Sequence, residues 1–273
     1  MNVATLKPQP EKARNGYTQL TIQHEEEYDI AWYYMHPQPR PICSLTLISE
    51  MQHWFGELQK PADRHDLRYI VLASDVPGVF NLGGDLELFT RLIRQRDKSG
   101  LQHYATSCIN TLVLNHNGLN CGLTTISLVQ GDALGGGLEY AVSSDVLIAE
   151  RSAKMGFPEI LFNLFPGMGA YSFLSRKIGS RQAEKMILGG RLYSAEEMYE
   201  MGVVDVLAED GQGEIAVYDY VRKESRSRNG FLSFRAAKNC TNPVTYEELM
   251  NVGNIWVDAA LRLREKDLRM MER

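Results

Sequence analysis

Short apolar runs alternating with helix-spaced segments are the feature that most limits what this chain can fold into. Tyr69-Ile70-Val71-Leu72-Ala73, Thr125-Ile126-Ser127-Leu128-Val129 and Val146-Leu147-Ile148-Ala149 read as buried strands. Between the opening residues and the first of them, Leu45, Leu47, Ile48, Met51, Trp54, Phe55 and Leu58 recur at helical spacing, which predicts a helix over Ser44–Leu58. Leu101–Leu114 is long enough for a second helix, and Leu138–Val142 reads as a short one entered through Gly135-Gly136-Gly137. Such alternation favours an α/β fold.

The ends of the chain add detail. Thr18–Gln23 and Tyr28–Tyr34 carry the β-branched and aromatic residues of an opening hairpin. Ser194-Ala195-Glu196-Glu197 fits a capping box, with Gly202 placed to stop the helix and Val203–Leu207 to follow as a strand. Beyond Gly211 the pattern is helical to the end, and Ile255, Trp256, Ala259, Ala260 and Leu263 are expected on one face. This divides the 273 residues into a polar lead-in (1–17), a core (18–210) and a C-terminal helical region (211–273).

Charge narrows the function classes. Lys plus Arg number 29 against 34 Asp plus Glu, a net charge of -5 that supplies no global field for nucleic acid or anionic lipid. No stretch has the length of a membrane span, and Met1–Tyr17 lacks the apolar run of a signal peptide, so a cytoplasmic location is expected. Cys43, Cys108, Cys121 and Cys240 form no Cys-x-x-Cys pair and read as reduced packing thiols. His24, His36, His53, His65, His103 and His116 lack metal-ligand spacing, so neither a metal nor another cofactor is called for.

Chemistry concentrates at two glycine clusters, Phe80-Asn81-Leu82-Gly83-Gly84-Asp85 and Gly131-Asp132-Ala133-Leu134-Gly135-Gly136-Gly137-Leu138-Glu139, each expected at a strand-to-helix turn. Glycine lets backbone approach a ligand closely, and the free amides of a helix start favour an anion. Neither cluster spells a nucleotide-binding fingerprint. Glu139 follows the triple glycine among Leu138, Tyr140, Ala141 and Val142, surroundings in which an unpaired carboxylate is costly. Glu159, in Met155-Gly156-Phe157-Pro158-Glu159-Ile160, stands at the start of another expected helix. Taken alone it is equally consistent with a first-turn acid favoured by the helix dipole.

This arrangement resembles the crotonase (enoyl-CoA hydratase/isomerase) superfamily. The likeness runs through Gly83-Gly84-Asp85, Gly135-Gly136-Gly137-Leu138-Glu139, Pro158-Glu159, Tyr193-Ser194-Ala195-Glu196-Glu197 and Gly202-Val203-Val204-Asp205, and covers about residues 18–270. It implies a ClpP/crotonase-like ββα spiral core. A closer resemblance is to the diffusible-signal-factor synthases (RpfF-type branch), carried by Val79-Phe80-Asn81-Leu82-Gly83-Gly84-Asp85-Leu86, Leu128-Val129-Gln130-Gly131, Leu164–Phe173 and Ile255-Trp256-Val257-Asp258. That resemblance implies dehydration of 3-hydroxyacyl chains on acyl carrier protein, then hydrolysis of the cis-2-enoyl thioester to a free cis-2-unsaturated acid used as a quorum-sensing signal. It also implies a homo-oligomer, trimer or hexamer, and a sensor or regulator protein as partner.

By motif position, the resemblance makes Glu139 and Glu159 the paired acid and base, in an order left open, and the amides of Gly84 and Gly136 the oxyanion hole. One such donor is typically worth ~3 kcal/mol of transition-state stabilisation. Gly83, Leu134, Gly135, Met168 and Trp256 are the expected substrate-binding residues, with Phe162, Leu164 and Phe165 as further candidate walls of an apolar tunnel. For an acidic carrier protein, Arg91, Arg94, Arg96 and Lys98 form one candidate docking patch, and Arg222, Lys223, Arg226 and Arg228 another. Two other readings stand beside this one. One is a plain enoyl-CoA hydratase or isomerase acting on coenzyme A thioesters; the other is a regulator-binding protein that keeps the fold.

Overall fold

The computed structural model describes residues 16–61 and 66–272. The expected lead-in up to position 15, and His65, lie outside the described residues.

β1 (Leu20–Glu25) and β2 (Ile30–Met35) form an antiparallel hairpin with Leu20 opposite Met35. Asp29, at φ 55°, closes the short 3-10 turn between them. α1 (Leu45–Leu58) starts at Ser44, whose hydroxyl accepts the Leu47 amide at 3.0 Å. There follow β3 (Tyr69–Ser74), β4 (Val79–Asn81), α2 (Leu86–Arg94) and α3 (Lys98–His116), then β5 (Thr124–Val129), β6 (Asp132–Leu134) and α4 (Gly136–Ser143). β7 (Val146–Glu150), β8 (Lys154–Gly156), α5 (Ala170–Ile178) and α6 (Ser180–Gly189) lead to β9 (Leu192–Ser194), α7 (Ala195–Glu200) and β10 (Val206–Ala208). The chain ends in α8 (Gly213–Ser225), α9 (Arg228–Thr241), α10 (Tyr246–Ala260) and α11 (Glu265–Met271).

The strands sort into a six-stranded sheet, β1-β2-β3-β5-β7-β10, and a four-stranded sheet, β4-β6-β8-β9. From β3 to β8 each pair of consecutive strands puts its first member in the large sheet and its second in the small one, and helices follow. This is the ββα spiral of a crotonase-like α/β fold. The continuous apolar runs are explained by the large sheet having two covered faces. Tyr33, Ile70, Leu72 and Leu147 point into a core shared with α1, α3 and α4, whereas Trp32, Val71, Ile126, Leu128 and Ile148 point into a second core closed by Val217 and Val221 of α8.

Three expectations need correction. The sequence pattern placed one strand before each glycine cluster, but a further strand, β4 or β6, runs inside each cluster, and β8 and β9 also went unread; all four are three residues long, too short to show periodicity. The strand expected over Val203–Leu207 is confined to Val206–Ala208, because the Val203 and Val204 amides both bond the Met198 carbonyl at the end of α7. Ile255 is 59% exposed while Trp256 is 3% exposed, since neighbours on a helix point about 100° apart. The capping box at Ser194 and Glu197 is present, and Gly202 follows α7 at φ 80°.

Candidate active site

The two glycine loops meet. Gly83 is pinned by its amide on Asn81 Oδ1 (2.8 Å) and by its carbonyl, which accepts from Cys43 N (2.7 Å). A methyl group at Gly83 would stand 3.0 Å from the Gly136 nitrogen and 2.8 Å from the Leu134 carbonyl oxygen; one at Gly136 would stand 3.6 Å from the Gly84 nitrogen. The Gly84 and Gly136 amides therefore lie side by side. Gly136 opens α4, so its N–H has no intrahelical partner, and neither amide donates to a protein acceptor among the described residues. Two free donors at the positive end of a helix can receive an oxyanion.

Glu139 sits in the first turn of α4 and is 1% exposed. Its Oε1 accepts two backbone amides, from Met168 at 2.8 Å and Ala170 at 3.0 Å. Burial pushes the carboxyl up to about 7, against the opposing pull of those amides. Glu159 stands in the first turn of the helix expected there, which is a short 3-10 helix, Pro158–Phe162, ended by Asn163 at φ 64°. The residue as a whole is partly exposed, but its Oε2 is enclosed and has no hydrogen-bond partner among the described residues. Burial first, and then the charge of Glu139, raise this carboxyl to about 8. The amides favour Glu139 as the group that ionises first, leaving Glu159 with the proton. That order was not readable from the sequence, because the deciding amides lie some 30 residues further along, at Met168 and Ala170.

Gly135 sets the spacing between the two acids. It takes φ 48°, ψ −123°, a conformation open to glycine, and a methyl group there would lie 2.4 Å from Glu159 Oε1.

Both carboxyls and both amide-bearing glycines line one cavity of about 60 Å³. Phe162, Leu164, Met168 and Trp256 are among its walls. Leu134 and Phe165 are not: Leu134 turns its carbonyl toward Gly83, and Phe165 packs half-buried against the core. Trp256 closes one side, its indole so near Gly167 that a methyl group there would meet it at 2.2 Å, and its ring edge meets Phe89 at 5.1 Å between centroids. Leu82, Leu86, Phe89, Pro166 and Gly167 also line the cavity without having been singled out as site residues. Membership of the motif segments Val79–Leu86 and Leu164–Phe173 was the available signal for Leu82, Leu86, Pro166 and Gly167; Phe89 carries none.

The proposed docking charges are largely taken up within the chain. Arg94 pairs with Glu265 (2.7 Å) and Glu272 (2.6 Å), Lys98 with Asp258 (2.8 Å), and Arg96 donates to the Leu261 carbonyl (2.6 Å). In the other patch Arg222 pairs with Asp219, and Arg228 with Glu224 at 3.3 Å. Among the described residues no cluster of three or more His, Cys, Asp or Glu is placed to hold a metal, and no helix is long and apolar enough to cross a membrane.

The sequence model of the enoyl-CoA hydratase/isomerase family matches residues 36–239 of the 273. The chain belongs to the enoyl-CoA hydratase/isomerase family. The mouse (Mus musculus) mitochondrial methylglutaconyl-CoA hydratase is 31% identical to it over 178 residues, 64% of this chain and 54% of that protein. The chain thus spans about half the length of the curated relatives it matches first. Among solved structures, an enoyl-CoA hydratase from Bacillus halodurans superposes with a TM-score of 0.78 at 20% identity, covering 93% of this chain and 99% of that one. Human mitochondrial delta3-delta2-enoyl-CoA isomerase gives 0.78 at 18% identity, covering 93% and 96%. These two likenesses concern the fold of this family member.

Proposed function

We propose that this family member is an acyl-thioester hydratase, adding water across, or removing it from, the C2–C3 bond. The observation that carries the reading is the meeting of two acceptor-free amides, Gly84 and Gly136, with two buried carboxyls of raised pKa in one apolar-walled cavity. In the dehydrating direction the thioester oxygen sits between the amides, which take up the negative charge of the enolate. The Glu139 carboxylate removes the C2 proton, Glu159 gives its proton to the 3-hydroxyl, and water leaves as the double bond forms. Hydration is the reverse. Each acid–base group is worth roughly 10²- to 10⁴-fold, and each amide roughly 10²- to 10³-fold. The hydratases among its relatives support this reading.

A second, narrower reading is a diffusible-signal-factor synthase acting on a carrier-protein-linked 3-hydroxyacyl chain and then hydrolysing the thioester. What favours it is that three of the segments bearing that resemblance converge on this cavity, through Leu82, Gly84 and Leu86, through Leu164, Gly167 and Met168, and through Trp256. Mass spectrometry of the products from matched coenzyme A and carrier-protein substrates tests both. Interconversion of 3-hydroxyacyl and trans-2-enoyl thioesters supports the hydratase, release of free cis-2-enoic acid supports the synthase, and no turnover of any thioester sinks both. Self-association, as trimer or hexamer, belongs to the same proposal: α9 has no buried residue and leaves Phe234 71% exposed. Sedimentation as a monomer at micromolar concentration would contradict it.

A further inference from the structure

The Gly84 amide can receive an oxyanion only while the peptide plane between Gly83 and Gly84 keeps its direction. That peptide is trans, so its carbonyl and its N–H point opposite ways. Cys43 N donates to the Gly83 carbonyl at 2.7 Å, which draws the carbonyl toward the start of α1 and turns the Gly84 N–H away from it, toward the reaction cavity that Gly84 lines. Gly83 takes φ 93°, and a residue without a side chain leaves such a conformation as freely as it enters it. One hydrogen bond therefore leaves the plane able to turn over.

The second restraint comes from Asn81. It ends β4 and is 1% exposed, yet it does not line the reaction cavity. Burying a carboxamide is costly unless its bonds are made. Here Oδ1 accepts from the Gly83 N–H two residues on (2.8 Å), the turn an asparagine side chain makes with its own backbone. The same oxygen accepts from the Cys43 thiol (3.3 Å), while Nδ2 faces the Met35 sulfur at 3.7 Å, so the neighbours keep oxygen rather than nitrogen against Gly83. Gly83 is thus held on both sides, at its nitrogen by Asn81 and at its carbonyl by Cys43. Asn81 also backs the other glycine loop: a methyl group on Gly137 would stand 2.3 Å from the Asn81 carbonyl oxygen and 2.8 Å from its Cβ. One buried residue therefore touches the segments that carry both amides.

We propose that Asn81 is a positioning residue of the oxyanion hole: by holding the Gly83 N–H, its carboxamide oxygen keeps the Gly83–Gly84 peptide from turning over and the Gly84 amide aimed at the thioester oxygen. The inference rests on the acyl-thioester reading above. Without that acceptor the plane samples both orientations, and only molecules with the Gly84 N–H turned inward carry both donors. The loss falls on the step in which charge develops on the oxygen, so kcat suffers more than KM.

The test uses a four-carbon trans-2-enoyl-CoA for kinetics and butanoyl-CoA, which has no double bond to hydrate, as a bound probe, both on the full chain. Asn81→Leu keeps the size and removes the acceptor. Its kcat is expected to fall at least about tenfold with KM within about threefold, a part of the roughly 10²- to 10³-fold that a whole oxyanion donor is worth. The infrared carbonyl stretch of bound butanoyl-CoA, lowered in the parent by the two amides, is expected to move back toward its value in solution. Asn81→Ser, whose hydroxyl can still accept from an N–H two residues on, is expected to recover most of the kcat and most of the carbonyl shift. A merely structural role would lower the melting temperature and leave the carbonyl stretch in place. A smaller loss of kcat in Asn81→Leu, or an Asn81→Ser variant as slow as Asn81→Leu, would overturn the proposal. If Asn81→Leu fails to fold, Asn81→Ala replaces it under the same two criteria. Failure of the thioester reading looks different, since the unaltered protein would then turn over no thioester and leave the butanoyl-CoA carbonyl stretch at its solution value.

Discussion

At the scale of single residues, the two glutamates set the pH behaviour. Both carboxyls have folded-state values above their ordinary 4.5, about 7 for Glu139 and about 8 for Glu159. Between about pH 4.5 and 8 the folded chain holds protons that the unfolded chain has released, so their contribution to stability declines as pH rises through that window. Glu159→Gln removes the larger part of this effect. The variant is expected to be about 1–3 kcal/mol more stable than the parent at pH 9 and no more stable at pH 4, read by urea unfolding, while turnover falls at least about 10²-fold. Equal stability differences at both pH values would show that Glu159 is not held protonated. Gly135→Ala tests the spacing instead: the new methyl meets the mobile end of Glu159 at 2.4 Å, so activity should fall about 10²-fold, with about 1–3 kcal/mol lost to backbone strain. Melting and kinetics measured on one preparation separate the two effects. Glu139 was legible as a candidate because a carboxylate in apolar sequence is costly, and Glu159 joined it only through the family resemblance; their order of ionisation was not legible, because it depends on amides brought from a distant loop.

Among the elements, legibility followed length. α1 and the strands β3, β5 and β7 lie within one or two residues of their sequence patterns, since an apolar run or a helical stripe of that length has few alternatives. The three-residue strands of the small sheet have no such pattern, yet β4 and β6 are what bring the two glycine loops together. Equally silent in sequence is Asn115 of α3, fully buried where β2, α3 and α4 converge. Its Oδ1 accepts from the Tyr33 hydroxyl (3.2 Å), and its Nδ2 donates to Ser143 and Ser144 (both 2.9 Å). Asn115→Ala strands these partners in the core and is expected to cost on the order of 3 kcal/mol in chemical denaturation. A loss below about 1 kcal/mol would mean that the hydroxyls find one another instead.

For the whole molecule, what matters is how the C-terminal helices are tied to the sheet, because Trp256 reaches the reaction cavity from one of them. Helical pattern announced these elements but not their attachment, which rests on partners about 100 residues apart. Glu224 of α8 is fully buried, accepts from the Thr124 hydroxyl of β5 (2.7 Å) and pairs with Arg235 of α9 (2.6 Å), which also reaches Asp145 (3.5 Å). Tyr220 donates to the same carboxylate at 2.9 Å. A buried ion pair adds little net stability over apolar packing, but removing one partner leaves the other charge uncompensated at a cost of about 3–5 kcal/mol. Glu224→Gln keeps shape and most donors' geometry while removing the charge, so the loss should approach the lower end, with Asp145 retaining part of the Arg235 interaction. If the tail and the sheet unfold as one unit, the whole denaturation curve moves to lower denaturant with unchanged slope. Were α9 instead to come away by itself, the main transition would stay in place and hydrogen exchange would rise over 228–241 alone. The shared carboxylate between β5, α8 and α9 predicts the first outcome.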